Sequence, residues 1–278
     1  MEKKIVVSFG GGVQSTAIAL MVLKGELPRP DLWLFADTGD EPEAVYPHVK
    51  KWREKIEAAG MEFVTVHRFE DKQSLSEHCL VGLRERKGSA TYLPPLFLEM
   101  KDELERTPLH RQCTAEFKIK PLHRYMKTWA EVPRAYKGSP LVTQWLGISY
   151  DEIQRSRISQ ERWYEFEYPL IDRRIRRSDC LKMLADAGES APRSACVFCP
   201  FHSDDEWRRL RKTPGDWNNA VEFERELHRN YAAGNCGKMN SQPTLHRSGR
   251  PLEEIDFTDR QESLFGDLSE ECWGVCGV

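Results

Sequence analysis

The stretch from Ile5 to Leu20 constrains this chain most: an apolar run, Ile5 to Phe9, passes through Gly10, Gly11 and Gly12 directly into the helix-like Val13 to Leu20. Successive glycines let the backbone turn tightly and bring bare N–H groups up to an anion. Ser15 and Thr16 fall where a helix N-terminus points its unpaired donors and positive dipole end. The loop therefore reads as a phosphate cradle, with a glycine turn that only closes strand onto helix as the plainer alternative. No Lys follows the last glycine, which excludes the Walker A pattern, and the spacing is not that of a dinucleotide fold.

A second apolar run, Leu32 to Ala36, ends in Asp37, Thr38, Gly39 and Asp40, with a helix-like segment from Glu43 to Ala59 beyond. This predicts a second strand of a parallel sheet, whose carboxyl end faces the same crevice as the glycine loop. Asp37 is the first candidate for organising Mg²⁺ on bound phosphates, against the plainer role of an acid that ends a strand.

The chain is long enough to bury a large core, and its net charge of −3 hides an asymmetry. Arg106 to Lys182 carries 16 Lys and Arg against 9 Asp and Glu, whereas Pro251 to Val278 carries 1 against 8. The middle suits a polyanionic partner and the tail opposes one. No apolar run reaches membrane-spanning length and no signal-peptide pattern opens the chain, so the expectation is a cytoplasmic protein with no membrane partner.

In a cytoplasmic chain, eight cysteines point to metal binding or redox work rather than disulfides. Cys196 and Cys199 form a C-x-x-C-P turn that presents two thiolates to one centre, Cys180 lies 16 residues before it, and Cys113 stands 83 residues before Cys196. Four such thiolates suit an iron–sulfur cluster or a zinc ion, and buried, unligated thiols are the third option. Cys79 and Cys236 carry no pattern. Cys272 and Cys276 lie near the end of the chain, where a mobile thiolate could reach a site.

Gly10 to Thr16 resembles the PP-loop of the adenine nucleotide α-hydrolase superfamily, with Gln14 where that motif has an acid. The Gln variant is similar to phosphoadenylyl-sulfate (PAPS) reductases, as is the Asp37-Thr38-Gly39 segment, and the chain resembles that domain family. Leu146 to Arg157 and Tyr168 to Asp172 are similar to two further family segments, with Ser149 where an Arg often stands. The order Cys113, Lys118, Pro121-Leu122, then Cys196-x-x-Cys199 resembles APS reductases, except that Thr114 replaces a second adjacent cysteine. The arrangement also looks like DNA phosphorothioation enzymes. Glu271-Cys272-Trp273-Gly274 loosely resembles the reductases' catalytic tail.

The resemblance implies an α/β fold with a doubly wound parallel sheet, a nucleotide-binding domain over 1–172 and a helical, cysteine-rich region over 173–278. It implies ATP with Mg²⁺ at Ser8, Gly10, Gly11, Gly12, Gln14, Ser15, Thr16, Asp37, Thr38, Gly39 and Arg157. It further implies a 4Fe-4S cluster on Cys113, Cys180, Cys196 and Cys199, and Asp37, Lys118, Arg155 and Cys272 as catalytic candidates. The expected activity is an ATP pyrophosphatase and sulfurtransferase that thiolates a tRNA base or the DNA backbone, supplied by a cysteine desulfurase or another sulfur donor. A sulfonucleotide reductase with Cys272 as nucleophile, and a nucleotide-binding subunit without catalysis, are the alternatives. The clusters Arg173, Arg174, Arg176, Arg177 and Arg208, Arg209, Arg211, Lys212 read either as a grip on nucleic acid or as solvated helix faces.

Overall fold

The computed structural model describes residues 3–86, 93–99, 106–237 and 239–257. Its centre is a five-stranded parallel sheet of β1 (Lys4–Ser8), β2 (Leu32–Asp37), β3 (Glu62–His67), β6 (Val142–Leu146) and β7 (Tyr164–Glu167) in the order β3-β2-β1-β6-β7. The inner strands are apolar almost throughout because both faces of the sheet are covered. Alternate side chains divide the labour. Val7, Phe9, Trp33 and Phe35 pack with α1 (Val13–Leu23), α2 (Val45–Ala58) and α6 (Arg177–Asp186). Val6, Leu32, Leu34 and Ala36 pack on the opposite face against Leu122 and Met126 of α4 (Lys120–Trp129). The architecture is thus α/β with a Rossmann-like sheet.

The chain steps outward from β1 through β2 to β3, then returns to place β6 on the other side of β1. At such a reversal neighbouring connections diverge and leave a crevice beyond the strand ends, and β1 delivers the glycine loop into it.

A second apolar core lies beside the sheet, built by α3 (Leu75–Arg86), α7 (Asp204–Arg211) and α8 (Pro214–Ala232), with Trp207 and Phe198 fully buried in it. Two short antiparallel strands, β4 (Phe97–Glu99) and β5 (Arg106–Pro108), lie alongside, and Phe97 also bridges Thr244. Ser203 caps α7 by accepting from the Glu206 amide; Asp204, Asp205 and Glu206 fill the first turn and Arg208, Arg209 and Arg211 the last, each sign at the favoured dipole end. Beyond residue 172, Cys180 and Leu184 of α6 pack into the first core. Among the described residues no helix is long and apolar enough to cross a membrane.

Candidate functional site

Two neighbouring cavities define the site. The first is a cleft lined by Ser8, Gly10, Gly12, Gln14 and Ser15 from the glycine loop, Gly147 and Ile148 beyond β6, Arg155, and Ser194. It occupies the crevice between β1 and β6. Gly12 starts α1 with no side-chain cap and no acidic residue in the first turn, so the positive end of the helix faces the cleft uncompensated. A phosphate is the group that such a cleft, with Arg155 on its wall, accommodates best.

The remaining loop residues support this surface from below. Gly11 has φ +72°, and a β-carbon there would lie 3.0 Å from Val49 and 3.2 Å from Val45, so α2 seals the underside of the loop. Thr16 is fully buried and its hydroxyl lies 2.9 Å from Nε2 of His48 on α2. Burial lowers the His48 pKa to about 4, with Lys51 adding to the effect, so the imidazole is neutral at pH 7.

Gln14 does not occupy its position as a failed acid. Its amide nitrogen donates to Glu152 Oε2 at 2.9 Å, and Arg155 pairs with the other oxygen of the same carboxylate, which is 1% exposed. Gln14 thereby ties the turn over Tyr150–Arg155 to the glycine loop and holds Arg155 at the cleft. An acid at position 14 would face Glu152 with like charge. Gln14→Glu is expected to destabilise the protein by about 1–3 kcal/mol and to loosen Arg155, read as a lower urea midpoint at pH 8 that partly recovers at pH 5.

The second cavity is lined by Cys113, Cys196 and Cys199 together with Thr38, Leu75, Arg111, Thr114 and Lys118. Three of the four expected cluster ligands therefore share one cavity. Cys180 does not: it is buried in the first core, where burial and then Asp151 push its thiol up to about 12. Spacing favoured Cys180, but a helix that packs on α1 turns this side chain toward α1 instead. Burial raises the Cys196 thiol well above its ordinary value, Glu41 adds to this, and Lys118 opposes it. Lys118 Nζ lies 2.8 Å from Glu41 Oε1, whose side chain is wholly buried. Among the described residues no three His, Cys, Asp or Glu side chains converge to hold a single ion; the three thiols surround a space instead.

The segment from Ser194 to Pro200 joins the two cavities. Ser194 Oγ would be 2.8 Å from a β-carbon on Gly12, the Val197 amide donates to the Asp40 carbonyl at 3.0 Å, and Cys196 Sγ lies 3.5 Å from Thr38 Oγ1. The C-x-x-C turn is held by the Cys199 amide donating to the Cys196 carbonyl at 3.0 Å, the same carbonyl that His202 Nε2 approaches at 2.9 Å.

The expected nucleotide and catalytic residues thus divide. Of the nucleotide set, Ser8, Gly10, Gly12, Gln14 and Ser15 line the first cleft and Thr38 the thiol cavity; of the catalytic set, Arg155 lines the first and Lys118 the second. Asp37 is not on the cleft wall: its Oδ1 accepts from the Gly39 amide at 2.8 Å and its Oδ2 lies 3.9 Å from His67 Nδ1. Gly39 has φ +76° and packs against Ser74, a turn requirement rather than a ligand contact. Arg157 lies along β7, its guanidinium 5.5 Å from the Phe166 ring. Cys272 lies outside the described residues. Arg208 and Arg209 are paired with Asp205 and Glu206, and Arg211 stacks on Trp217. Arg173, Arg174 and Arg176 are exposed. Ser194 and Glu41 had no sequence signal, while Gly147 and Glu152 lie in the Leu146 to Arg157 segment that resembles the family pattern.

Fold and site together define an α/β protein with a cleft under the glycine loop at a strand-order reversal and a thiol-lined cavity next to it. No protein-family model matches the chain, and no curated protein matches it.

Proposed function

We propose that the protein is an ATP pyrophosphatase that activates a nucleic acid, a tRNA base or the DNA backbone, for thiolation. The observation that supports this most is the phosphate cleft joined to a three-thiol cavity through Ser194 to Cys199. In this reading an oxygen of the acceptor attacks the α-phosphorus of ATP, the bond to the β-phosphate oxygen breaks, and pyrophosphate departs. Sulfur from a donor such as a cysteine desulfurase then displaces AMP. The amides of the glycine loop hold phosphate, Arg155 offsets charge that develops on the departing pyrophosphate, and Ser194 closes the cleft. Mg²⁺ would arrive on the phosphates; Asp37, engaged with Gly39 and His67, is not assigned to it.

The thiol cavity fits a 4Fe-4S cluster better than a single ion, because a cubane binds each thiolate at a separate iron around its own volume. Cys113, Cys196 and Cys199 would hold it, and Lys118 and Arg111 in the same wall would offset its negative charge. When bound, it would supply an electron-rich iron–sulfur centre next to the activated acceptor. The exposed Arg173, Arg174 and Arg176 follow the turn that carries Arg155, since the Tyr150 amide donates to the Ile175 carbonyl at 2.8 Å, and a polyanion lying there would reach the cleft. The doubly wound sheet, the cytoplasmic setting and two-part organisation belong to the same reading.

Pyrophosphate release from ATP by anaerobically purified protein, with and without tRNA or duplex DNA, tests it. Release stimulated several-fold by one polymer is the expected result. No release with either, but sulfite release from APS or PAPS that is lost in Cys272→Ser, would replace this reading with the sulfonucleotide reductase. ATP binding without turnover under all conditions would leave a nucleotide-binding subunit.

A further inference from the structure

Resting on the iron–sulfur reading above, we propose that the fourth cluster ligand is Cys79 of α3, in place of Cys180. Four placements converge on it. Leu75 lines the thiol cavity, and Cys79, four residues on, lies one helical turn further along the same face of α3. Cys79 shares the second apolar core, against which Cys113 and Cys196 also pack, whereas Cys180 is in the first. The start of α3 is pinned to the cavity wall: the Leu75 amide donates to the Thr38 carbonyl at 2.9 Å, and Ser76 donates through both its amide and its hydroxyl to Asp40, each at 2.7 Å. Thr38 is the residue whose hydroxyl meets Cys196 Sγ.

Cys79 is fully buried, and in a cluster iron would take the place of its proton, which leaves to solvent. Sequence spacing had no access to this, because Cys79 stands 34 residues before Cys113 on a different element. With a protein thiolate on every iron, the sulfur used in thiolation would be brought by the separate donor.

The test compares wild type, Cys79→Ala, Cys79→Val and Cys180→Ala, all reconstituted anaerobically with ferrous iron and sulfide. Iron and sulfide per chain, the visible charge-transfer absorbance and the electron paramagnetic resonance of the dithionite-reduced protein are recorded, with circular dichroism of the apo forms as the folding control. The expected result is a full cluster in wild type and Cys180→Ala, and at least a twofold loss of iron with an altered resonance in both Cys79 variants. Valine keeps the core filled if alanine leaves too large a hole. A Cys79 variant that folds and matches wild type in iron and resonance overturns the ligand while leaving the cluster reading intact. A wild type that takes up no iron, or that binds zinc alone, overturns the cluster reading and this ligand with it.

Discussion

Gly147→Ala is expected to weaken ATP binding at least tenfold while the protein stays folded. A β-carbon at this position would lie 3.0 Å from the Ser15 amide nitrogen and 3.3 Å from the Gln14 carbonyl carbon. These are backbone atoms in the first turn of α1, so no flexible side chain can move aside. Relief requires the connection after β6 to retreat from the helix start, which widens the cleft between them where the phosphate would sit. The stability cost is that of a small overpacking, about 1–3 kcal/mol. A factor of ten in affinity corresponds to about 1.4 kcal/mol, so a shift of the loop by a few tenths of an ångström is enough. Calorimetric titration with a non-hydrolysable ATP analogue, beside a urea melt, separates the two effects. An unchanged affinity in the variant would mean that the nucleotide does not use the β1–β6 crevice.

Lys118→Met is expected to be the most destabilising single change at the thiol cavity, at about 3–5 kcal/mol. Lys118 is 14% exposed and its ammonium lies 2.8 Å from Glu41, whose side chain is 0% exposed. Removing the cation leaves a buried carboxylate whose other oxygen, Oε2, has no hydrogen-bond partner among the described residues. Thr38, 3.2 Å from Oε1, gives a hydrogen bond but no compensating charge in return. The cost belongs to the stranded charge rather than to the pair, so Lys118→Met combined with Glu41→Leu should recover most of it. Non-additivity of that size in urea melts, measured without added iron, is the diagnostic. If the double variant is no more stable than Lys118→Met alone, the pair is not what holds this wall.

The pairing also clarifies why Lys118 was legible as a functional residue but not in its role. Its place in the reductase-like order Cys113, Lys118, Pro121-Leu122 marked it as a catalytic candidate, and it does line the cavity that Cys113 lines. Its partner Glu41, however, comes from the turn after β2, and Phe117 beside it is buried in the second core. A wide π-helical turn over Ala115–Ile119 leads into α4 and carries both residues. Neither the turn nor the partner has a local sequence signature, since both depend on what packs around them.

By itself the sequence determined the central architecture and the chemistry of its loop. Apolar runs ending in Gly10 to Gly12 and in Asp37 to Gly39 specify strands covered on both faces, because only a sheet with helices on each side can bury such runs. The glycine triplet before a hydroxyl-bearing helix start specifies a tight turn into the helix by the same local logic. The C-x-x-C turn is equally local, its two thiols held together by one short loop. Tertiary structure alone decided which distant side chains complete these pieces. Gln14 meets Glu152, Ser194 roofs the glycine loop, and Cys113 joins Cys196 and Cys199 while Cys180 does not, each through contacts between elements far apart in the chain. Such contacts are set by how helices dock on the sheet and on each other, and a one-dimensional spacing contains no term for that.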